Sequence, residues 1–199
     1  MKMHPEDKTG DCYRRGLQAE EIFTDIMESN GYAARQATPH EDGRKHIDTF
    51  LEKDGETHSY QVKGLRKFFR RSKYYNNSHA LLEISKNQGK RDGTAFTTES
   101  DYMVFFRKGE FLVFSTKGLR EVCEKYVKFN ESVGYNDYED FKLKLRKSGG
   151  WNGRAKRIEE LTIIPYSFLK EKLEYKRYEH SYYKNYKTQD MNDTKKAAF

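Results

Sequence analysis

The chain has 199 residues, with 38 Lys and Arg against 31 Asp and Glu, a net charge of +7 and an apolar fraction of 35%. This length predicts one domain, and the sequence lacks both the apolar run of a membrane-spanning helix and the apolar stretch of a signal peptide. The cysteines, Cys12 and Cys123, are too few for a disulfide framework or a Cys-rich zinc site, so we expect a reduced, cytoplasmic protein with no membrane partner.

The ends of the chain are more polar than its middle. Residues 1–12 and the tail over 188–199 are expected to be flexible. Residues 13–187 are predicted to form a single domain. Its small core would be closed by Tyr and Phe side chains, because 15% of the chain is aromatic.

Periodicity and turn residues predict the elements of the first half. Asn30-Gly31 is typical of a helix end, and Asp54-Gly55 between two alternating segments predicts a β-hairpin. The expected elements are a helix over 14–30, a short strand over 32–37, and hairpin strands over 46–51 and 57–64.

The second half follows the same rules. Lys108-Gly109 between two apolar runs predicts paired strands, Thr116 is expected to cap the next helix, and Pro165 is expected to begin the last one. The expected elements are strands over 80–84, 101–107, 110–115 and 161–164, helices over 116–127 and 138–147, a loop over 148–153, and a basic, Tyr-rich C-terminal helix ending by 187. This order predicts a mixed α/β fold with a central sheet.

The hairpin carries the polar residues that suggest chemistry. Gln61 and Lys63 are two residues apart on one strand, so their side chains share a face while Val62 points into the core. Pairing across the hairpin brings Asp48 close to both. A carboxylate, an amide oxygen and an ammonium group on one face suit Mg²⁺ and a phosphate, because Mg²⁺ binds few oxygen ligands and lowers the pKa of bound water.

The first helix adds a candidate acid. At about 100° per residue, Glu20 lies at the edge of the apolar stripe and Glu21 on the solvent side. Glu20 is therefore the acid expected to face the sheet and a metal, through water. The alternative is that both are ordinary solvated helix acids.

This arrangement resembles the PD-(D/E)xK nuclease superfamily, which has the restriction-endonuclease-like fold. The matching segments are Gly16-Leu-Gln-Ala-Glu20, His46-Ile-Asp48 and Gln61-Val-Lys63. The Gln-x-Lys form is similar to the QxK variant of Mrr-type restriction enzymes, and the Gly-x-x-x-Glu helix is similar to Holliday-junction resolvases. Two positions depart from the superfamily, because Gln61 replaces the usual acid and Ile47 the usual proline.

The resemblance has implications for fold, activity and ligands. It implies a central mixed β-sheet flanked by helices and a Mg²⁺-dependent endonuclease, with Mn²⁺ able to substitute. It implies that Glu20, Asp48, Gln61 and the Val62 carbonyl bind the metal and that Lys63 assists the attacking water. Cleavage of DNA would leave 5′-phosphate and 3′-hydroxyl ends.

A basic segment follows Lys63 directly. Residues 65–75 contain five cations and four aromatic side chains, which suit phosphates and unpaired bases. The residues expected to contact DNA are Arg66, Lys67, Arg70, Arg71 and Lys73. Duplex DNA, branched DNA and RNA stay open as substrates, and junction cleavage would need a homodimer.

Weaker candidates lie near these residues. Glu41, Asp42 and His46 precede Asp48, and Glu83 lies on the strand after the basic segment. The stretch 85–93 is basic and either contacts phosphates or has no role. The segment 170–187 is either a second nucleic-acid surface or a solvated helix face.

Three interpretations stay open at this point. The first is a metal-dependent endonuclease. The second keeps the fold without efficient chemistry, as a nucleic-acid-binding or assembly module, and Gln61 favours it because an acid is missing there. The third is an unrelated basic interaction module in which the motif arose by chance.

Overall fold

The computed structural model describes residues 11–66, 75–86, 91–133, 143–151, 156–182 and 188–189. The helices are α1 (Asp11–Ser29), α2 (Thr94–Thr97), α3 (Thr116–Tyr126) and α4 (Tyr166–Lys172), and Glu41–Lys45 forms a π-helical turn. The strands are β1 (Ala33–Gln36), β2 (Thr49–Lys53), β3 (Glu56–Lys63), β4 (Tyr75–Asn76), β5 (His79–Ser85), β6 (Tyr102–Arg107), β7 (Glu110–Ser115), β8 (Lys128–Val133), β9 (Lys144–Trp151), β10 (Lys156–Pro165), β11 (Tyr175–Glu179) and β12 (Thr188–Gln189).

Six strands form the central sheet, in the order β1-β2-β3-β6-β7-β11. All neighbours are antiparallel except β3 and β6, which run parallel. Helix α1 packs on one face and helix α3 on the other. The predicted mixed α/β class, with a central mixed sheet flanked by helices, is confirmed.

Helix α1 forms because its apolar residues share one face. The buried stripe consists of Ala19, Ile22, Phe23 and Met27. The helix ends as a Schellman motif, in which Gly31 has a φ of 83° and the Tyr32 N–H donates to the Met27 carbonyl at 3.1 Å. The predicted helix end at Asn30-Gly31 is confirmed.

The hairpin of β2 and β3 turns at Asp54-Gly55. Both residues have positive φ, 54° and 81°, as a two-residue type I′ turn requires. The turn fixes the register, in which Thr49 lies opposite Tyr60. Strand β2 begins at Thr49, so Asp48 lies just before it, next to the last residues of β3.

A second sheet, in the order β5-β10-β9-β8, contributes to the core on the side of the central sheet opposite α1. Because side chains alternate along a strand, β6 supplies Val104 to the core under α1 and Met103 to the core shared with the second sheet, α3 and α4. Gln61 lies opposite Met103 and Lys63 opposite Phe105. The site-bearing face of β3 is therefore the face toward the second sheet.

Several expectations about elements are wrong. Strand β9 pairs with β10 where a helix over 138–147 and a loop over 148–153 were expected, and residues 138–142 lie outside the described residues. Ser115 caps α3 in place of Thr116, because its side chain accepts a hydrogen bond from the Gly118 N–H at 3.3 Å. The C-terminal helix ends at Lys172, and β11 follows it and pairs with β7.

The ends of the described chain are also more regular than expected. Helix α1 begins at Asp11, within the segment predicted to be flexible, and Thr188–Gln189 pairs with β4 as β12. Residues 1–10 and 190–199 lie outside the described residues. In the described ranges, no helix is both long and apolar enough to cross a membrane.

Candidate functional site

Asp48 is held against β3 by backbone hydrogen bonds. Its N–H donates to the Tyr60 carbonyl at 2.9 Å, and its own carbonyl accepts from the Ala37 N–H at 3.0 Å. Its carboxylate Oδ2 accepts from the Val62 N–H at 2.6 Å. Since Val62 lies between Gln61 and Lys63, the carboxylate is fixed beside the two predicted partners.

Gln61 is a buried polar residue without a satisfied oxygen. The residue is 4% exposed, and its Oε1 has no hydrogen-bond partner among the described residues. Buried polar atoms are normally hydrogen-bonded, and each exception calls for an explanation such as an ion or a ligand. An oxygen of this kind on the same strand face as Lys63 is a ready donor for a cation.

Glu20 reaches the site because α1 approaches β3 closely. A Cβ on Gly64 would lie 3.0 Å from the Arg15 carbonyl oxygen and 3.5 Å from the Gly16 Cα. The glycine therefore lets the second turn of α1 lie against the end of β3. Glu20 is half-buried and Glu21 is exposed, as the helical periodicity predicts.

The acids of the site have raised pKa values. Burial is the largest cause of the rise in the pKa of Glu20 to about 7, and the nearby Asp48 and Asp42 raise it further. Burial likewise raises the pKa of Asp48 to about 6, against the opposing effects of Lys63 and the Val62 N–H. Asp42 thus lies close enough to Glu20 and Asp48 to disfavour their charges, and Glu20, Asp42 and Asp48 are named the acidic cluster.

The pKa of Lys63, the cation next to these acids, is shifted in the opposite direction. Burial lowers the pKa of Lys63 to about 8, and the nearby Arg66 and Lys86 lower it further, while Asp48 and Glu83 oppose the shift. Lys63, Arg66 and Lys86 are named the basic cluster. It adjoins the acidic cluster through Asp48 and Lys63.

Hydrogen bonds join the turn before Asp48 to the segment after α2. The Thr98 hydroxyl donates to the His46 carbonyl at 2.9 Å, and the Glu99 N–H donates to the Lys45 carbonyl at 2.8 Å. His46 itself has a left-handed backbone, with φ of 53° and ψ of 48°. Non-glycine residues in this conformation concentrate at functional sites.

Of the weaker candidates, Glu41 has a structural partner outside the site, whereas Asp42 and Glu83 interact with site residues. Glu41 pairs with Arg35 at 3.0 Å and accepts from the Thr38 N–H at 2.7 Å. The hydrogen bond from Arg35 is the main reason that its pKa falls to about 2, so it serves the turn and not the site. Asp42 acts on Glu20 and Asp48, and Glu83 acts on Lys63.

Mg²⁺ fits the donors of this site. Among the described residues no group of three His, Cys, Asp or Glu side chains could hold a metal ion. The fit therefore depends on the unpartnered Gln61 oxygen and the Val62 carbonyl together with Asp48 and Glu20. One or two carboxylates with several waters suffice for Mg²⁺, and a cation would relieve the charge repulsion in the acidic cluster.

One of the five cations predicted to contact DNA lies within the described residues. Arg66 is exposed and lies just after β3, and Lys67, Arg70, Arg71 and Lys73 lie outside the described residues. The sequence patterns did not single out Lys86, which forms part of the basic stretch 85–93. Its position two residues after the strand predicted over 80–84 is the signal that could have identified it.

Comparison with protein-family models and with curated proteins finds no match. Among solved structures, the chain is similar to the bacterial homing endonuclease I-Ssp6803I, with 16% identity and a TM-score of 0.40. The similarity covers 54% of this chain and 71% of that chain. A likeness at this level does not assign a function.

Proposed function

We propose that the chain is a Mg²⁺-dependent endonuclease of the PD-(D/E)xK type that hydrolyses DNA phosphodiester bonds. The observation that carries this proposal is the Asp48 carboxylate, bound to the Val62 N–H at 2.6 Å between Gln61 and Lys63. The electrostatic interaction of Asp48 with Lys63 and the unpartnered oxygen of Gln61, two residues before Lys63 on the same strand, support the proposal of a metal-assisted phosphodiesterase.

The charges of the site support ligands of both signs. Like charges that disfavour one another are stabilised by a ligand of opposite charge. A bound cation would therefore stabilise the acidic cluster, and a bound anion would stabilise the adjoining basic cluster. A divalent metal and a phosphate placed side by side satisfy both.

Each residue has a defined role in this proposal. Asp48, Gln61, the Val62 carbonyl and Glu20 would hold Mg²⁺, which when bound neutralises phosphate charge and makes hydroxide available near neutral pH. Lys63, with its pKa lowered to about 8, donates hydrogen bonds to the phosphate and stabilises the charge that develops on its oxygens. The oxygen of water bonds to phosphorus as the bond to the 3′ oxygen breaks, and the leaving 3′ oxygen takes up a proton, which gives 5′-phosphate and 3′-hydroxyl ends.

Nicking of supercoiled plasmid tests the proposal. Wild type is expected to nick with Mg²⁺ or Mn²⁺ and not with EDTA. Asp48→Asn and Lys63→Met are expected to lose activity by about 100-fold or more, the usual scale for loss of a metal ligand or of charge stabilisation in the transition state. Asp25→Asn, which removes an exposed carboxylate from α1, serves as the matched control.

Two outcomes would contradict the enzyme assignment. Metal-dependent nicking that persists in folded Asp48→Asn would place the activity elsewhere. Tight DNA binding by wild type without metal-dependent cleavage of duplex, single-stranded or branched DNA would favour the binding-module interpretation.

A further inference from the structure

We propose that Lys86, held by His46, forms with Arg66 a second phosphate subsite that binds the nucleic-acid phosphate next to the one that is cleaved. This inference rests on the proposed function and adds a substrate contact that the metal ligands and Lys63 do not provide. Its basis is the contact between Lys86 and His46, the position of His46 two residues before Asp48, and the position of Arg66 three residues after Lys63.

The backbone of Lys86 is fixed. It directly follows β5, and its N–H donates to the Asp92 side chain at 2.7 Å. The returning chain packs against β5, because the Gly93 N–H donates to the Ile84 carbonyl at 3.0 Å and a Cβ on Gly93 would clash with the Glu83 carbonyl oxygen. Lys86 therefore starts from a defined point beside the site.

The ammonium group of Lys86 contacts the side chain of His46, which lies two residues before Asp48. Its Nζ lies 3.4 Å from His46 Nε2, and within the described ranges it makes no ion pair with a carboxylate. An ammonium group only donates hydrogen bonds, so His46 Nε2 is the acceptor in this contact, and it orients Lys86 without neutralising its charge.

The positive charges near Lys63 favour the binding of an anion. Lys86 and Arg66 both act on Lys63 as like charges, and Arg66 is exposed two residues beyond Gly64. Lys63, Arg66 and Lys86 together carry three positive charges, which is more positive charge than one phosphate needs. Adjacent phosphates of a nucleic-acid strand present two anionic groups in a row, which suits this arrangement.

Fluorescence anisotropy with a labelled DNA duplex in EDTA tests the subsite. Lys86→Met is expected to raise the Kd about tenfold at low salt and to lower the slope of log Kd against log salt by about 1, as expected for one lost phosphate contact. Lys86→Arg is expected to restore both values. Lys125→Met, which removes an exposed cation from α3, is the control, and thermal melting checks that each variant is folded.

The outcomes separate the subsite from the function. If Lys86→Met and Lys125→Met share one Kd and one salt slope while wild type cleaves DNA, the subsite is wrong and the proposed function stands. If wild type neither binds nor cleaves nucleic acid, the function is wrong as well. Should Lys86→Met fail to fold, Lys86→Gln provides the same comparison. In cleavage assays Lys86→Met should raise KM with little change in kcat, whereas Lys63→Met should lower kcat.

Discussion

Glu20 and Asp48 lower the free energy of unfolding of the metal-free protein once they are ionised. Their pKa values rise from 4.5 to about 7 and from 3.8 to about 6. As pH rises through this window the unfolded chain releases protons that the folded chain keeps, so the free energy of unfolding falls. Lys63 acts oppositely, since its pKa falls from 10.5 to about 8, and stability rises again between those values.

Replacing one of these carboxyl groups should therefore stabilise the metal-free protein. Glu20→Gln is expected to raise the free energy of unfolding at pH 8 by about 1–2 kcal/mol, given about 1.4 kcal/mol per pKa unit and screening of a half-exposed group by solvent. The gain should vanish near pH 4.5, where Glu20 carries its proton. Urea unfolding in EDTA at both pH values measures the difference.

The control for this change is Glu21→Gln. Glu21 is the exposed neighbour on the same turn of α1, and its substitution should leave stability nearly constant across the pH range. A loss of stability in Glu20→Gln at pH 8 would show that the carboxylate is paired in the folded protein. This result would contradict the burial and the nearby negative charges that raise the pKa of Glu20.

At the scale of elements, the site depends on the contact between α1 and the end of β3. The two glycines at this contact differ in what surrounds them. A Cβ on Gly64 would press on the backbone of Arg15 at 3.0 Å, whereas a Cβ on Gly16 would meet only Glu20 Oε1 at 3.9 Å. The first glycine is required by packing, and the second only leaves the helix more flexible.

This difference predicts opposite effects of the same substitution. Gly64→Ala is expected to lower the free energy of unfolding by about 1 kcal/mol or more, because the helix must move away from the strand. Gly16→Ala is expected to raise it by about 0.5–1 kcal/mol, the usual gain from replacing glycine inside a helix. Chemical denaturation of the two variants and wild type provides the comparison. Equal losses in both would mean that Gly16 also packs against β3.

The sequence predicted the elements that are defined by local patterns. Helix α1 and the hairpin of β2 and β3 follow from periodicity and from turn residues, and together they place Glu20, Asp48, Gln61 and Lys63. Strand β9 was missed because Gly149 and Gly150 are typical of a loop, and only pairing with β10 makes them a strand. His46 and Lys86 were not paired in the sequence because they meet through contacts between distant segments.

At the scale of the whole molecule, the site joins parts that belong to different cores. Helix α1 and Val62 belong to the core on one face of the central sheet, and β5, which carries Glu83 and precedes Lys86, belongs to the core on the other face. The acidic cluster and the basic cluster meet at the end of β3, between these cores. A ligand bound there would tie the two sides of the sheet together, so its binding should be visible as global stability.

Thermal melting with and without Mg²⁺ tests this linkage. An ion that binds only the folded chain at ten times its Kd adds about 1.4 kcal/mol, which for a chain of 199 residues corresponds to a rise in Tm of about 3–6 °C. The rise is expected at pH 8, where Glu20 and Asp48 are ionised, and should be nearly absent at pH 5, where both hold protons against the metal. Asp48→Asn should lose the rise at pH 8 and Asp25→Asn should keep it. An equal rise in all three proteins, or one independent of pH, would mean that Mg²⁺ acts away from this site.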